Sequence, residues 1–509
     1  MLRKLKLSTI NTRLISDESQ VFRRFCTAKK SPTTHRDIKK HTLYTTLSTL
    51  WSTGQKVSDA LDQLSNNGSK YVSKYDLFDC IKKFRKFGRY QHCLEILEWM
   101  EKVKIGSANR DLYLNLICKV KGIDEAEKYF DSLPPNAKKG STYGSLLNCY
   151  CSEKMTEKAL ALFEKMDEMN YANNNMAFTN LMCLYVKVNQ PEKVPPLVEE
   201  MKRRNIPIGL VSYMTWIQSY ACFNDLKGIE RVMDEVKKQE SVKNEWKLYS
   251  SFASAYIKAG QYAKADSSLK RVEEILDNLN NPDRIAYDHL ISLYASVGDL
   301  KSVTTAWVKL KSKCKGCNNK SYLTMLHSLS KLGDIEHLKK CFKEWNFRYK
   351  SYDVRIPTVV IGAYLKHEMI QEAELLLKDA KDRSEQKIWV AHALFVDYYL
   401  GKCKIDSALR HFKLALANEW KPPAEKIDKF FEYFIEAKDV DGAENFFQML
   451  DKGQSLSSNA CLRLLQTYAA AGKTAPEMHQ LMVQHGADTG TEHEKLLEKI
   501  GYSKEDNIL

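Results

Sequence analysis

Residues 143–150 read Tyr-Gly-Ser-Leu-Leu-Asn-Cys-Tyr. The large apolar residues of this stretch fall at i, i+3, i+4 and i+7, at Tyr143, Leu146, Leu147 and Tyr150. That spacing places them on one face of an α-helix. Residues 178–185 and 287–294 repeat the same arrangement. The pattern therefore predicts amphipathic helices that recur along the chain.

A ladder of large residues gives the length of the repeat. Its ten members follow one another at intervals of 34 to 38 residues: Tyr150, Tyr185, Tyr220, Tyr256, Tyr294, Leu329, Tyr364, Tyr399, Phe434 and Tyr468. A turn and a second amphipathic helix fit between successive members. Because one such hairpin leaves an apolar face uncovered, neighbouring hairpins must stack. We predict an all-α, right-handed α-solenoid of about 11–12 helix-turn-helix repeats of 35 residues.

Four segments follow from this reading of the chain. Residues 1–26 are expected to be an organelle transit peptide with an uncertain cleavage site, and residues 27–73 a linker with N-terminal capping helices. The repeat array is predicted for residues 74–490. Residues 491–509 would form a C-terminal cap or tail.

The N-terminal segment carries most of the chain's positive charge. Residues 1–40 hold 11 Lys and Arg against 3 Asp and Glu, which leaves only +6 of the net +14 for the other 469 residues. The first acidic residue is Asp17, and Ser and Thr are interspersed with the basic residues. This composition is typical of a transit peptide and predicts a mitochondrial protein, with the chloroplast as the alternative. A frayed basic N-terminus would have the same composition.

Several classes of function are not supported by the sequence. No run of 18 apolar residues is present, so no membrane span is predicted. Cys314 and Cys317 form a Cys-x-x-Cys pair without two further ligands at matching spacing, so we expect a loop there and no metal site. Phosphate-binding glycine loops and nucleophile elbows are absent. We therefore predict a protein that is not an enzyme and needs no cofactor.

The first helices separate two families of helical hairpins. Tetratricopeptide repeats have a small residue at the eighth position of the first helix, whereas here that position is large: Leu147, Met182, Ile217, Ile291, Leu326 and Ile361. Residues 83–100 and 122–130 resemble the short mitochondrial pentatricopeptide repeat proteins of plants, which belong to the P class. The resemblance covers roughly residues 70 to 490. It implies binding of single-stranded RNA, with one base per repeat.

The resemblance also implies which residues contact the bases. In that family the fifth residue of each repeat bonds to a base edge, helped by the last residue. Carried over, the base-contacting candidates are Thr179, Ser250, Asp283, Asp288, Asn318 and Thr358. Ser250 with Asp283 matches the family's pairs and suggests a purine, whereas Asp288 with Asn318 is a less common combination. Other fifth positions, such as Met214 and Leu323, offer no hydrogen bond.

A column of lysines marks the ends of five first helices. These phosphate-contacting candidates are Lys86, Lys187, Lys258, Lys331 and Lys366. Lysines along a groove could follow the phosphates of an RNA strand. They could equally serve only to complement the helix dipole.

Two functions therefore remain open. The first is an organellar protein that binds single-stranded transcript and acts by occupancy in RNA stability, processing or translation, with protein partners in ribonucleoprotein complexes. The alternative is a protein-binding α-solenoid scaffold, such as a component of an organellar ribosome or assembly complex. Apolar fifth positions and the modest charge beyond residue 40 favour the alternative.

Overall fold

The computed structural model describes residues 43–474 with gaps at 49, 51–54, 67–72, 106–108, 315, 350–351, 385 and 453–457. The predicted transit peptide (1–26) and C-terminal cap (491–509) lie outside the described residues, as does the end of the predicted array. Residues 43–48 are helical.

Helices dominate the described residues, which contain no strand. In chain order they are α1 (Val57–Asn66), α2 (Lys74–Lys86), α3 (Tyr90–Lys102), α4 (Arg110–Lys121), α5 (Ile123–Ser132), α6 (Gly140–Ser152), α7 (Thr156–Glu168), α8 (Asn175–Lys187), α9 (Val194–Arg203), α10 (Leu210–Cys222), α11 (Leu226–Lys238), α12 (Trp246–Lys258), α13 (Tyr262–Asp277), α14 (Arg284–Val297), α15 (Leu300–Lys313), α16 (Asn319–Leu332), α17 (Ile335–Arg348), α18 (Arg355–Lys366), α19 (Ile370–Arg383), α20 (Trp389–Gly401), α21 (Ile405–Ala417), α22 (Ala424–Ala437), α23 (Val440–Lys452) and α24 (Ser458–Ala471). Short 3₁₀ turns at Pro135–Ala137 and Pro191–Lys193 precede α6 and α9.

These helices confirm the predicted class of fold. From α2 onward, each even-numbered helix is the first helix of a hairpin and the following odd-numbered helix is the second. Within the described part of the chain, eleven hairpins are complete, from α2–α3 to α22–α23, and α24 begins another. Among the described residues, no helix is both long enough and apolar enough to cross a membrane.

The chain divides into two compact units, residues 1–275 and 276–509. In the first unit, the first helices α4 to α12 pack side by side, each against the next. In the second unit, α14 to α20 do the same. The first helices of each unit therefore form one layer, and the second helices pack behind it.

The tyrosine ladder lies inside these layers. Its members from Tyr150 to Phe434 are all buried, and Tyr468 is half-buried. Small residues of the second helices, such as Ala159, Ala408 and Ala443, are fully buried where the two helices of a hairpin meet. Together these positions account for the periodicity of the sequence, because each hairpin covers the apolar face of its neighbour.

Glycine and aspartate shape two of the tight turns within hairpins. Gly298 and Gly333 end α14 and α16 in the left-handed conformation, with φ of 92° and 75°, which a residue with a side chain adopts less readily. Asp299 and Asp334 then cap the second helices, accepting backbone N–H bonds from Ser302 and His337 at 3.0 Å. The hairpins consequently need only two residues between their helices.

Several cysteines are buried and behave as apolar residues of the packing. Burial raises the pKa of the Cys80, Cys93 and Cys341 thiols to about 12, which keeps them protonated and unreactive. Cys314 follows the last residue of α15, and Cys317 lies just before α16. The Cys-x-x-Cys pair therefore occupies the predicted loop between two hairpins.

Candidate nucleic-acid interface

The five candidate phosphate contacts occupy equivalent places in the fold. Each lies in the last turn of a first helix: Lys86 in α2, Lys187 in α8, Lys258 in α12, Lys331 in α16 and Lys366 in α18. Lys86, Lys258 and Lys366 are exposed, whereas Lys187 is half-buried. Lys331 donates to the hydroxyl of Ser296 on the preceding first helix at 2.9 Å, and desolvation lowers the pKa of its ammonium.

Some lysines of the second helices are in a different electrostatic situation. Several bridge to a carboxylate of an adjacent hairpin: Lys158 to Glu127 at 2.6 Å, Lys202 to Glu235 at 2.8 Å and Lys311 to Glu344 at 3.2 Å. By contrast, Lys86, Lys258 and Lys366 have no carboxylate partner within the part of the chain that the structure describes. These three ammonium groups are therefore available to an anion.

Thr179 is engaged in a network that joins two hairpins. It lies buried in α8, where its hydroxyl donates to the carbonyl oxygen of Asn175 at 2.7 Å. The same hydroxyl oxygen lies 2.7 Å from the hydroxyl oxygen of Ser212 in α10. Ser212 also donates to the side-chain oxygen of Asn175 at 2.7 Å. The structure thus places this candidate between first helices, with its hydrogen-bonding capacity largely used.

Thr358 and Ser250 differ in how their hydroxyls are satisfied. Thr358 is half-buried in α18 and donates to the carbonyl oxygen of Val354, one turn earlier, at 2.6 Å. Ser250 is buried in α12, and its hydroxyl has no hydrogen-bond partner among the described groups. Of the two hydroxyls, that of Ser250 is the one still able to form a hydrogen bond with a ligand.

Asp283 and Asn318 are the N-caps of α14 and α16. One carboxylate oxygen of the exposed Asp283 accepts the backbone N–H of Ile285 at 3.1 Å. The side-chain oxygen of Asn318 accepts the backbone N–H of Ser321 at 3.0 Å and the Ser321 hydroxyl at 3.3 Å. Both residues therefore have a structural role at a helix start. Ser250 belongs to the first compact unit and Asp283 to the second.

Asp288 is a buried carboxylate in α14, with 5% of its surface exposed. Neither carboxylate oxygen has a hydrogen-bond partner in the described structure, because the neighbouring Ser321 hydroxyl is directed at Asn318. Burial raises the pKa of the carboxyl, against the opposing influence of Ser321, Arg284 and Lys320. The structure thus gathers Asp288 and Asn318 around Ser321 and leaves an unused acceptor there.

The sequence analysis missed a row of polar residues. Each follows directly after the fifth residue of its repeat. In four successive first helices this position is polar and buried: Asn115, Ser145, Asn180 and Thr215. The side-chain amide of Asn115 donates to the Ser145 hydroxyl of the next hairpin at 3.1 Å. The recurrence of polar residues in apolar helices at the repeat interval was the available signal.

Comparisons with known proteins place this geometry in a family. The family model described as PPR repeat matches residues 141–171, 176–206, 320–346 and 357–384. A second, described as pentatricopeptide repeat domain, matches residues 196–244. The matched segments correspond to hairpins of the observed array.

Two relatives from Arabidopsis thaliana extend the similarity over nearly the whole chain. A mitochondrial pentatricopeptide repeat-containing protein is 42% identical, over 91% of this chain and 87% of its own length. The large ribosomal subunit protein mL101 is 35% identical, over 92% of this chain and 97% of its own length. The names of several relatives confirm the predicted mitochondrial localisation.

One solved structure supports the fold. The pentatricopeptide repeat protein PPR10, crystallised with an 18-nucleotide psaJ RNA element, superposes with a TM-score of 0.51 at 17% identity. The similarity covers 82% of this chain and 61% of PPR10. At this identity the similarity concerns the arrangement of helices alone.

Proposed function

This chain belongs to the pentatricopeptide repeat family, and from that premise we propose that it binds single-stranded mitochondrial RNA along its layers of first helices. It acts by occupancy. A protein that covers a stretch of transcript can block exonucleases, prevent base pairing or recruit processing and translation factors. None of these effects requires the protein to break a bond.

The observation that carries this proposal is the set of unneutralised lysines. Lys86, Lys258 and Lys366 project from equivalent ends of first helices and have no carboxylate partner in the described chain. Some second-helix lysines, such as Lys202 and Lys158, are instead neutralised by carboxylates of adjacent hairpins. Binding of RNA phosphates at the three free ammonium groups would release counterions, which is the main source of affinity for nucleic acids.

Base contacts would come from the fifth positions and their partners. Asp288 offers two carboxylate oxygens without hydrogen-bond partners, and Asn318 offers a side-chain amide whose nitrogen is not used in capping. In the first compact unit, the Ser250 hydroxyl, which has no hydrogen-bond partner among the described groups, would be a further base contact. Thr179 and Thr358 already donate to backbone carbonyls, so their contribution to base recognition would be smaller.

Crosslinking in isolated mitochondria tests this function. The protein is crosslinked to RNA, purified under denaturing conditions, and the attached RNA is sequenced. We expect one enriched footprint of about 8–12 nucleotides, the span of an array that reads one base per repeat. No RNA above the level of a non-crosslinked sample would refute the proposal.

A protein-binding scaffold is the second candidate function. It is favoured by the 35% identity to mL101, a protein of the large ribosomal subunit, over 97% of that protein's length. Sedimentation of mitochondrial extracts distinguishes the two candidates. A scaffold of the ribosome should stay with the large subunit after RNase treatment of the footprint, whereas an occupancy protein should be released with its transcript.

A further inference from the structure

Exposed apolar side chains recur on the second helices of four consecutive hairpins. Val308 in α15 is 60% exposed, Phe347 in α17 94%, Leu375 in α19 69% and Leu414 in α21 40%. No large hydrophobic residue is exposed within second helices α3 to α11, as far as the structure describes them. These four residues define the outer apolar stripe, and all four belong to the second compact unit.

In α17 and α19 the exposed residue lies on the side of the helix opposite the packed face. In α17 the buried residues are Leu338, Cys341 and Trp345, at intervals of three and four, whereas Phe347 follows Trp345 by two residues. Two residues correspond to about 200° around an α-helix. In α19, Leu375 is likewise two residues away from each of the buried residues Ala373 and Leu377. These side chains therefore do not contribute to the stacking of hairpins and have no evident role in the fold.

Basic residues accompany the stripe. Lys343, Lys378 and Arg410 lie three or four residues from Phe347, Leu375 and Leu414 respectively, which places each pair on the same helix face. All three are exposed and lack a carboxylate partner in the described chain. Carboxylates at the same spacing are mostly neutralised: Glu344 pairs with Lys311 at 3.2 Å and Asp379 with Arg383 at 3.4 Å. Glu372 remains exposed beside Leu375.

We propose that the outer apolar stripe binds an acidic amphipathic α-helix of a protein partner. The four exposed side chains lie on consecutive second helices, so a partner helix with apolar residues at i, i+3 or i+4, and i+7 can cover them with one face. Acidic residues beside its apolar face would pair with Lys343, Lys378 and Arg410.

The chemistry of the stripe favours a protein over RNA. Val308, Leu375 and Leu414 are aliphatic, so they gain free energy from burial against apolar side chains and cannot stack on bases as aromatic rings do. The stripe also lies on second helices, away from the lysines at the ends of the first helices. Protein docking here would be compatible with RNA bound to the first helices.

Photocrosslinking of the full chain tests this surface. Phe347 is replaced by p-benzoylphenylalanine, the protein is imported into isolated mitochondria, and crosslinked peptides are sequenced after irradiation. Tyr262, which is 53% exposed at the start of second helix α13, receives the same replacement as a control. We expect adducts at position 347 to map to one acidic segment with apolar residues three or four apart. Adding Leu375→Ser and Leu414→Ser should lower their yield at least fivefold.

The outcomes separate this surface from the RNA-binding layer. The serine substitutions are on exposed positions, so the melting temperature and the RNA footprint should stay unchanged. The proposal is overturned if the adducts contain lipid or RNA, if position 262 gives the same adducts, or if the two serine substitutions leave the yield unchanged. Absence of any adduct above the control overturns it as well.

Discussion

At the scale of single residues, Asp288 has the most unusual environment among the candidate ligands. Its carboxylate is buried in α14 without a hydrogen-bond partner in the described structure, and burial raises its pKa. A buried acceptor left unpaired costs free energy. The charged form of Asp288 is therefore disfavoured in the free protein, and this can be measured directly.

Asp288→Asn is expected to stabilise the free protein at pH 7.5 by about 1–3 kcal/mol, because a neutral amide loses less on burial than a carboxylate. The folded-state pKa is raised, so the proton-bound form is favoured and the penalty grows as the pH rises above the ordinary value of 3.8. Urea unfolding should therefore show a difference between variant and wild type that narrows as the pH falls towards 3.8. Asp283→Asn, at an exposed N-cap, is the matched control and should change stability little. A destabilised Asp288→Asn variant would contradict this account.

A second residue-scale feature is the pair His392 and His411, which join α20 and α21. Their Nδ1 atoms lie 3.2 Å apart, and the His411 ring stacks on Phe395 with centroids 4.4 Å apart. Burial lowers the pKa of both imidazoles to about 4, and for His411 the nearby His392 acts in the same direction. Both rings are consequently neutral in the folded protein at physiological pH.

The histidine pair predicts a defined loss of stability in acid. Between pH 6.5 and 4 the unfolded chain binds protons that the folded chain does not, so the free energy of unfolding falls as the pH drops through this window. The contribution is at most about 3 kcal/mol for each histidine. Replacing both with Leu should flatten the pH dependence of urea unfolding over this range, whereas exposed His367→Leu should not. If the free energy of unfolding depends on pH equally in the double variant and in wild type, the pKa values of the histidine pair are not lowered in the folded protein.

At the scale of elements, the sequence was sufficient to predict the helices but not the polar contacts between them. The spacing of Tyr143, Leu146, Leu147 and Tyr150 alone predicts α6 and its buried face, because helical periodicity is a local property. The role of Thr179 could not be predicted in this way. Its hydroxyl contacts Ser212, 33 residues away, and that contact depends on how two first helices pack. Whether a polar residue at the fifth position faces a ligand or a neighbouring hairpin is therefore decided by tertiary structure.

Thr179→Val should weaken the junction between α8 and α10. Valine preserves the shape of the side chain but removes the hydroxyl that bonds Asn175 and Ser212. We expect a loss of about 1–2 kcal/mol in the free energy of unfolding, because Ser212 and Asn175 lose a buried partner. Thr305→Val is the control, since the exposed Thr305 hydroxyl donates only within its own helix, at 2.9 Å. Equal stability of the two variants would argue against a structural role for Thr179.

At the scale of the whole molecule, the distribution of charge matters more than its sum. The chain carries +14, but +8 of this lies in the first 40 residues and the remainder is nearly balanced. Ion pairs between second helices, such as Lys202 with Glu235, neutralise much of the basic charge of the array. Affinity for RNA would then depend on a few lysines at first-helix ends, and not on a general positive field.

The salt dependence of RNA affinity tests this claim most directly. The affinity of the full chain for the RNA of its crosslinked footprint is measured at several salt concentrations. Wild type is compared with the triple variant Lys86→Ala/Lys258→Ala/Lys366→Ala. A second triple variant, Lys227→Ala/Lys238→Ala/Lys381→Ala, is the control. The control lysines are exposed on second helices and remove the same charge. Since each phosphate contact on single-stranded RNA contributes about 0.7 to the slope of log Kobs against log salt, the first triple variant should reduce the slope by about 2. Its affinity should fall at least tenfold near 0.15 M salt, while the control stays close to wild type. Equal slopes and affinities for the two triple variants would contradict the assignment of RNA to the ends of the first helices.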